Sequence, residues 1–260
     1  MSGDTAPSDR GNGSIRATGG ANGSGAAAEP RAAELRHRYA GLDGTELLRP
    51  IVEREFKGRI ALVSSFGAES AVVLALVAEI EPATPVIFLD TGKHFEATLR
   101  YRDALARRLG LTDVRSIEPD AAALARLDPT GELWRAAPDT CCFLRKVAPL
   151  SRALAGFESW ITGRKRFQNG HRSTLATIES VEGKVKINPL APWSRERIEA
   201  EFRRRGLPRH PLEAEGFLSI GCVPCTARVA PGDQARSGRW PDSDKTECGI
   251  HLPQPEAPPT

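Results

Sequence analysis

Aromatic surface is scarce in this chain. Its 260 residues include two tyrosines, nine phenylalanines and four tryptophans. That leaves little with which to stack single-stranded bases. The net charge of +3 is too small to argue for a nucleic-acid partner. Long apolar runs are missing too: none approaches the roughly 18 residues of a membrane-spanning helix. The N-terminus is polar and lacks the apolar stretch of a secretory signal. The expected setting is therefore cytoplasmic and reducing, where disulfides are uncommon. Cysteine itself is sparse, at five residues.

Those few cysteines are not scattered. Cys141 and Cys142 are adjacent, and Cys222-Val223-Pro224-Cys225 forms a second close pair. Cys248 stands alone in Glu247-Cys248-Gly249-Ile250-His251. Two pairs and a single suggest a four-thiolate metal site plus one working thiol. Cys-x-x-Cys is ordinary ligand spacing, because a tight turn lets both sulfurs face one centre. Spacing alone leaves structural zinc and an iron–sulfur cluster equally open. An adjacent pair needs a special backbone geometry, and a helix from Cys141 to Ala155 with the pair in its first turn would supply it.

The chain divides into three parts. Residues 1–30 are rich in Gly, Ala and Ser and read as a disordered tail. Residues 31–230 carry the periodic segments, and residues 231–260 read as a mobile C-terminal tail. Helical pattern begins near Arg31, and a second helix is predicted over 45–57. Short apolar runs at 59–64, 85–89 and 113–117 read as buried strands, separated by helices over 69–80 and 95–109. The α/β class follows, with a doubly wound, mostly parallel sheet whose ligands sit at the carboxyl ends of its strands. Val181-Glu-Gly-Lys-Val185 reads as a tight hairpin, and Ser194 as the N-cap of a helix through Arg205.

Several strand ends carry chemistry. Ser64-Ser65-Phe66-Gly67-Ala68-Glu69-Ser70 joins a strand to a helix, and its small residues and N–H groups suit an anion. Asp90, in Leu89-Asp90-Thr91-Gly92, either holds a ribose or amine or caps the following turn. Gly163-Arg164-Lys165-Arg166-Phe167-Gln168 places three cations at a strand end. Arg236 and Arg239 add two guanidiniums in the tail, a geometry suited to phosphate and sulfate oxygens.

In this order, these motifs resemble the assimilatory adenylyl-sulfate reductases of the phosphoadenylyl-sulfate reductase family. The resemblance spans roughly residues 45–251 and rests on six motifs: Ser-Ser-Phe-Gly-Ala-Glu-Ser, Leu-Asp-Thr-Gly, Cys-Cys-x-x-Arg-Lys, Gly-x-x-Arg-x-Gln, Cys-x-x-Cys and Glu-Cys-Gly-x-His. It implies an adenine-nucleotide α-hydrolase-like fold and a [4Fe–4S] cluster on Cys141, Cys142, Cys222 and Cys225. It also implies reduction of adenylyl sulfate to sulfite and AMP, as a step of sulfate assimilation, with thioredoxin or a glutaredoxin-like protein as donor. Cys248 would be the nucleophile, and Lys146 would stand between cluster and substrate. Ser64, Ser65, Gly67, Asp90, Arg166, Arg236 and Arg239 would bind the substrate. The alternative within the family is a cluster-free phosphoadenylyl-sulfate reductase, which lacks both cysteine pairs. An ATP-pyrophosphatase-type ligase shares the first strand and loop, but Glu69-Ser70 stands where it has Asp-Ser. A zinc-stabilised nucleic-acid binder would leave Cys248 without a task. A homo-oligomer is left open.

Overall fold

The computed structural model describes residue 1 and residues 24–168, 170–241 and 243–251. Six strands form one sheet: β1 (Ile60–Val63), β2 (Val86–Leu89), β3 (Val114–Ile117), β4 (Ser159–Ile161), β5 (Ile178–Val181) and β6 (Lys184–Ile187). Their order is β3-β2-β1-β4-β6-β5. All neighbours are parallel except the β5–β6 hairpin. That hairpin turns at Glu182 and Gly183, both with positive φ (51° and 73°), as a two-residue primed turn requires.

Alternation along the strands assigns the two faces. Ile60, Leu62, Val86 and Phe88 join one cluster, and Ala61, Val63, Ile87 and Leu89 join the other. The first face is covered by α1 (Ser24–Arg38), α2 (Gly44–Pro50), α3 (Ser70–Ile80), α4 (Glu96–Leu109) and, late in the chain, Ile198 and Phe202 of a C-terminal helix. α3 is buried along most of its length, since Ala71 through Leu76 are at most 5% exposed. Between the sheet's third strand and its fourth run α5 (Ala121–Leu127), α6 (Leu133–Ala136), α7 (Pro138–Cys142) and α8 (Ala148–Leu154). α8 covers the second face through Leu150 and Leu154. The C-terminal helix is α9 (Arg195–Arg205), and Ser194 caps it by accepting from the Arg197 amide.

Boundaries depart from expectation at two helices. α1 begins at Ser24, inside the stretch expected to be disordered; residues 2–23 lie outside the described residues. The cysteine helix begins at Pro138 rather than Cys141, because proline suits the first helical position. Its next turn, Phe143–Val147, is a wide π-turn. Pro149 follows, and it cannot donate to the carbonyl four residues back.

The chain winds outward from β1 to β3, then returns to place β4 on the other side of β1. The crevice at the carboxyl ends of β1 and β4 is therefore the point where the winding reverses, the usual ligand position in such sheets.

Candidate active site

A cavity opens at that crevice. Ser64, Ser65, Gly67 and Glu69 line it from the loop after β1, and Leu89 and His94 from the end of β2. Phe66 takes φ +49° there while its ring is fully buried, edge-on to Phe88 at 5.8 Å. Ser64 Oγ accepts from the Phe66 amide at 3.2 Å, which tightens the turn. The carboxylate of Glu69 is occupied: Lys165 Nζ lies 2.7 Å away and Gln168 Nε2 donates at 3.0 Å. Burial works against the charge of Glu69, but Lys165 outweighs it and lowers its pKa. A side chain so engaged is poorly placed to hold magnesium, as a ligase loop would require.

Four thiols meet at a second, smaller cavity. Cys141, Cys142, Cys222 and Cys225 all line it, and all are buried. The Cys222–Cys225 turn is bound on both sides. Val223 N donates to Lys93 O at 2.8 Å, and Trp240 N donates to Cys225 O at 3.2 Å. Arg145 ties the cysteine helix to the rest, donating to Thr91 O at 2.7 Å and to Asp128 Oδ2 at 2.6 Å. Burial raises the pKa of Cys141 and Cys225 and pushes Cys142 up to about 11. Cys222 is the exception. Burial acts on it too, but Lys146, the Thr91 hydroxyl at 3.3 Å and Arg239 lower its pKa. Among the described residues, no group of three or more His, Cys, Asp or Glu is arranged to hold a metal ion.

Lys146 lines both cavities. Burial disfavours its ammonium, yet the neighbouring sulfurs of Cys222, Cys248 and Cys142 reverse the balance and raise its pKa.

The C-terminal segment closes the larger cavity. Arg236, Arg239, Glu247, Cys248 and His251 all line it, and Cys248 is half-buried. Arg239 packs over the Trp240 ring at 4.5 Å and donates to Cys225 O at 3.1 Å. His251 stacks on Trp160 with the rings 12° apart, so it is neither a surface histidine nor part of a helical turn beginning at Cys248. This segment is irregular, as expected, but well packed, since Trp240 and Glu247 are buried.

Two residues expected at the cavity do not line it. Asp90 turns back to accept from the Gly92 amide at 3.1 Å, the capping alternative. Arg166 is exposed and donates to Leu175 O at 2.9 Å, because the chain starts a short turn at that residue and carries its side chain outward. Arg164 and Lys165 line the cavity in its place. Gln168, the last residue of the Gly-x-x-Arg-x-Gln motif, joins them, and so does Arg172, which was missed; no strand-end motif marks Arg172, and only its approach to the tail places it.

Comparison with known proteins agrees with this geometry. Residues 59–228 match the phosphoadenosine phosphosulfate reductase domain. The chain is 52% identical over 222 residues to the adenosine 5'-phosphosulfate reductase of Mesorhizobium japonicum, covering 85% of this chain and 87% of that protein. It is 46% identical to the protein of that name from a Chelativorans species, covering 88% and 94%. A phosphoadenosine 5'-phosphosulfate reductase from Gloeobacter violaceus is 41% identical, covering 76% and 84%. Among solved structures, the phosphoadenylyl-sulfate reductase of Candida auris superimposes with a TM-score of 0.65 at 26% identity, covering 77% of this chain and 98% of that one. With the matched domain spanning both the sheet and the Cys-x-x-Cys turn, the chain belongs to the phosphoadenosine phosphosulfate reductase family.

Proposed function

We propose that this chain is an adenylyl-sulfate reductase, an oxidoreductase of sulfate assimilation that converts adenylyl sulfate to sulfite and AMP with thioredoxin as donor. One observation carries the reading. The single cysteine outside the two pairs, Cys248, lines the same cavity as the β1 loop, Lys146, Arg236 and Arg239. Relatives named for adenosine 5'-phosphosulfate, at 52% and 46% identity, support that substrate over its 3'-phosphorylated analogue.

The residues divide the work. Backbone N–H groups after β1, with the Ser64 and Ser65 hydroxyls, face the nucleotide phosphate. Lys146, Arg236 and Arg239 neutralise the sulfate oxygens that would otherwise repel an incoming thiolate. The Cys248 thiolate attacks sulfur, the bond from sulfur to the bridging oxygen breaks, and AMP leaves with the electron pair. The product is an S-sulfonated Cys248. A thioredoxin thiolate then attacks Cys248 Sγ and expels sulfite, leaving a mixed disulfide. The second thioredoxin thiol resolves it, which oxidises thioredoxin and restores Cys248.

The four paired thiols suit a [4Fe–4S] cluster. They are buried round one cavity, and cysteine sulfur is the donor that an iron–sulfur cluster takes. Cys141, Cys142, Cys222 and Cys225 would hold the cluster, and its charge would act with Lys146 on the field at the sulfate.

Cys248→Ser tests the reading. The variant should bind adenylyl sulfate and release no sulfite. Wild-type protein given substrate without thioredoxin should gain one sulfonate, about 80 Da, on the peptide holding Cys248. An adduct on another cysteine refutes the proposal. A higher catalytic efficiency on the 3'-phosphorylated nucleotide would instead favour the phosphoadenylyl-sulfate alternative.

A further inference from the structure

Arg172 and Glu247 are 75 residues apart in the chain and meet at the wall of the larger cavity. Arg172 Nε donates to Glu247 Oε1 at 2.8 Å, and Nη2 to Oε2 at 2.9 Å. This is the two-pronged geometry that favours guanidinium and carboxylate. Both side chains are more than nine-tenths buried, at 9% and 8% exposure. Arg236 Nη2 approaches the same carboxylate at 3.4 Å and donates to Thr246 O at 2.7 Å. The other side of Arg172 is anchored to the sheet. It donates to Gln168 Oε1, and Gln168 donates to Glu69 at the start of α3.

Glu247 immediately precedes Cys248. The two Cα atoms are about 3.8 Å apart, so holding Glu247 in place restricts where the Cys248 thiol can travel. Gly249, at φ +90°, then turns the chain, and Ile250 packs against the cluster containing Leu150 and Trp160. Cys248 itself packs beside Cys222, Cys225 and Trp240, and the Arg172–Glu247 pair adds a charged anchor one residue before the thiol.

We propose that Glu247 is a positioning residue whose carboxylate, clamped by Arg172, docks the Cys248 segment against the cavity. The pair holds the thiol at the reacting sulfur, and breaking it releases the segment toward solvent and an incoming protein thiol. A buried pair suits this task because removing either partner strands the other charge, so docking is lost sharply rather than gradually. The proposal rests on the reading of Cys248 as nucleophile only for its effect on turnover; the docking itself is independent of substrate.

The test uses the full chain with its metal content intact. Iodoacetamide alkylation of Cys248 is followed by peptide mass spectrometry in wild type, Glu247→Gln, Arg172→Gln and the double variant. Each single change should accelerate alkylation at Cys248 at least about tenfold, equivalent to about 1.4 kcal/mol of lost docking. The double variant should exceed neither, because the two residues act as a unit. Unchanged Cys248 alkylation in Glu247→Gln, or effects that add in the double variant, would overturn the proposal. So would equal acceleration at Cys141 and Cys225, which marks general loosening. In single turnovers with saturating adenylyl sulfate, Glu247→Gln should form the sulfonate at least about tenfold more slowly, and Glu247→Asp should recover part of that loss. If wild type forms no adduct while the alkylation pattern holds, the substrate reading fails and the docking role stands.

Discussion

The ion pair between Arg145 and Asp128 fastens the cysteine helix, and Asp128→Asn isolates its contribution. Arg145 Nη2 meets Asp128 Oδ2 at 2.6 Å, with the two side chains 9% and 1% exposed. The other Asp128 oxygen accepts from the Leu133 amide at 2.9 Å, a bond that asparagine retains through its carbonyl. The substitution removes the negative charge and the acceptor facing Arg145, sets an amide donor in its place, and leaves the Arg145 guanidinium buried without its counter-ion. Breaking one side of a buried pair costs about 3–5 kcal/mol. With an unfolding entropy near 2.1 cal/mol/K per residue, that is a fall in Tm of about 5–9 °C for a chain of this size. The loss should depend on pH. Burial opposes the Asp128 charge, but Arg145 and the Leu133 amide outweigh it and hold its pKa below the usual carboxylate value. A carboxyl depressed in the folded state stabilises above its unfolded pKa of about 3.9, and that stability disappears as pH falls through the folded value. Thermal unfolding of both proteins from pH 7 to pH 2.5 measures this. The Tm gap should be full at pH 7 and close toward pH 2.5. A gap under about 2 °C at pH 7 would show that the pair contributes no more than a surface bridge.

Three further outcomes are expected. A methyl group at Gly221 would fall 2.3–2.5 Å from the Arg239 guanidinium. Gly221→Ala should therefore displace Arg239 and weaken adenylyl-sulfate binding about tenfold, with little loss of Tm; calorimetric titration measures both changes against wild type. Changing Cys222 and Cys225 together to Ser should abolish bound iron and the brown absorption of anaerobically purified protein, since hydroxyls are poor ligands for an iron–sulfide group; full iron content in that variant contradicts the four-ligand assignment. Lys186 is fully buried over the Trp160 ring with no hydrogen-bond partner among the described residues, and burial lowers its pKa to about 7. The unfolded chain then binds the extra proton between about pH 7 and pH 10.4, so this group's cost to folding is full below pH 7 and fades as pH rises. Lys186→Met should raise Tm at pH 7 and flatten that slope, and a lower Tm in denaturation scans would disprove it.

Local patterns alone determined much of this protein. The runs at 59–64 and 85–89 became strands because four consecutive apolar residues bury on both faces of a covered parallel sheet. Glu182-Gly183 became a primed turn, and Ser194 a cap, through contacts within three residues. The cysteine spacing likewise marked the two pairs, which line one cavity, while Cys248 packs beside Cys222 and Cys225 and lines the larger cavity. Tertiary structure decided which cations serve the cavity. Arg164, Lys165 and Arg166 are consecutive, and only the path of the chain after β4 sends the first two inward and the third to Leu175 O. Asp90 offered two uses, and the nearby Gly92 amide took its carboxylate. Arg172 carries no local signal at all. Its role arises where the tail folds back to bring Glu247 against it, and a pairing across 75 residues depends on the whole fold rather than on either residue's neighbours.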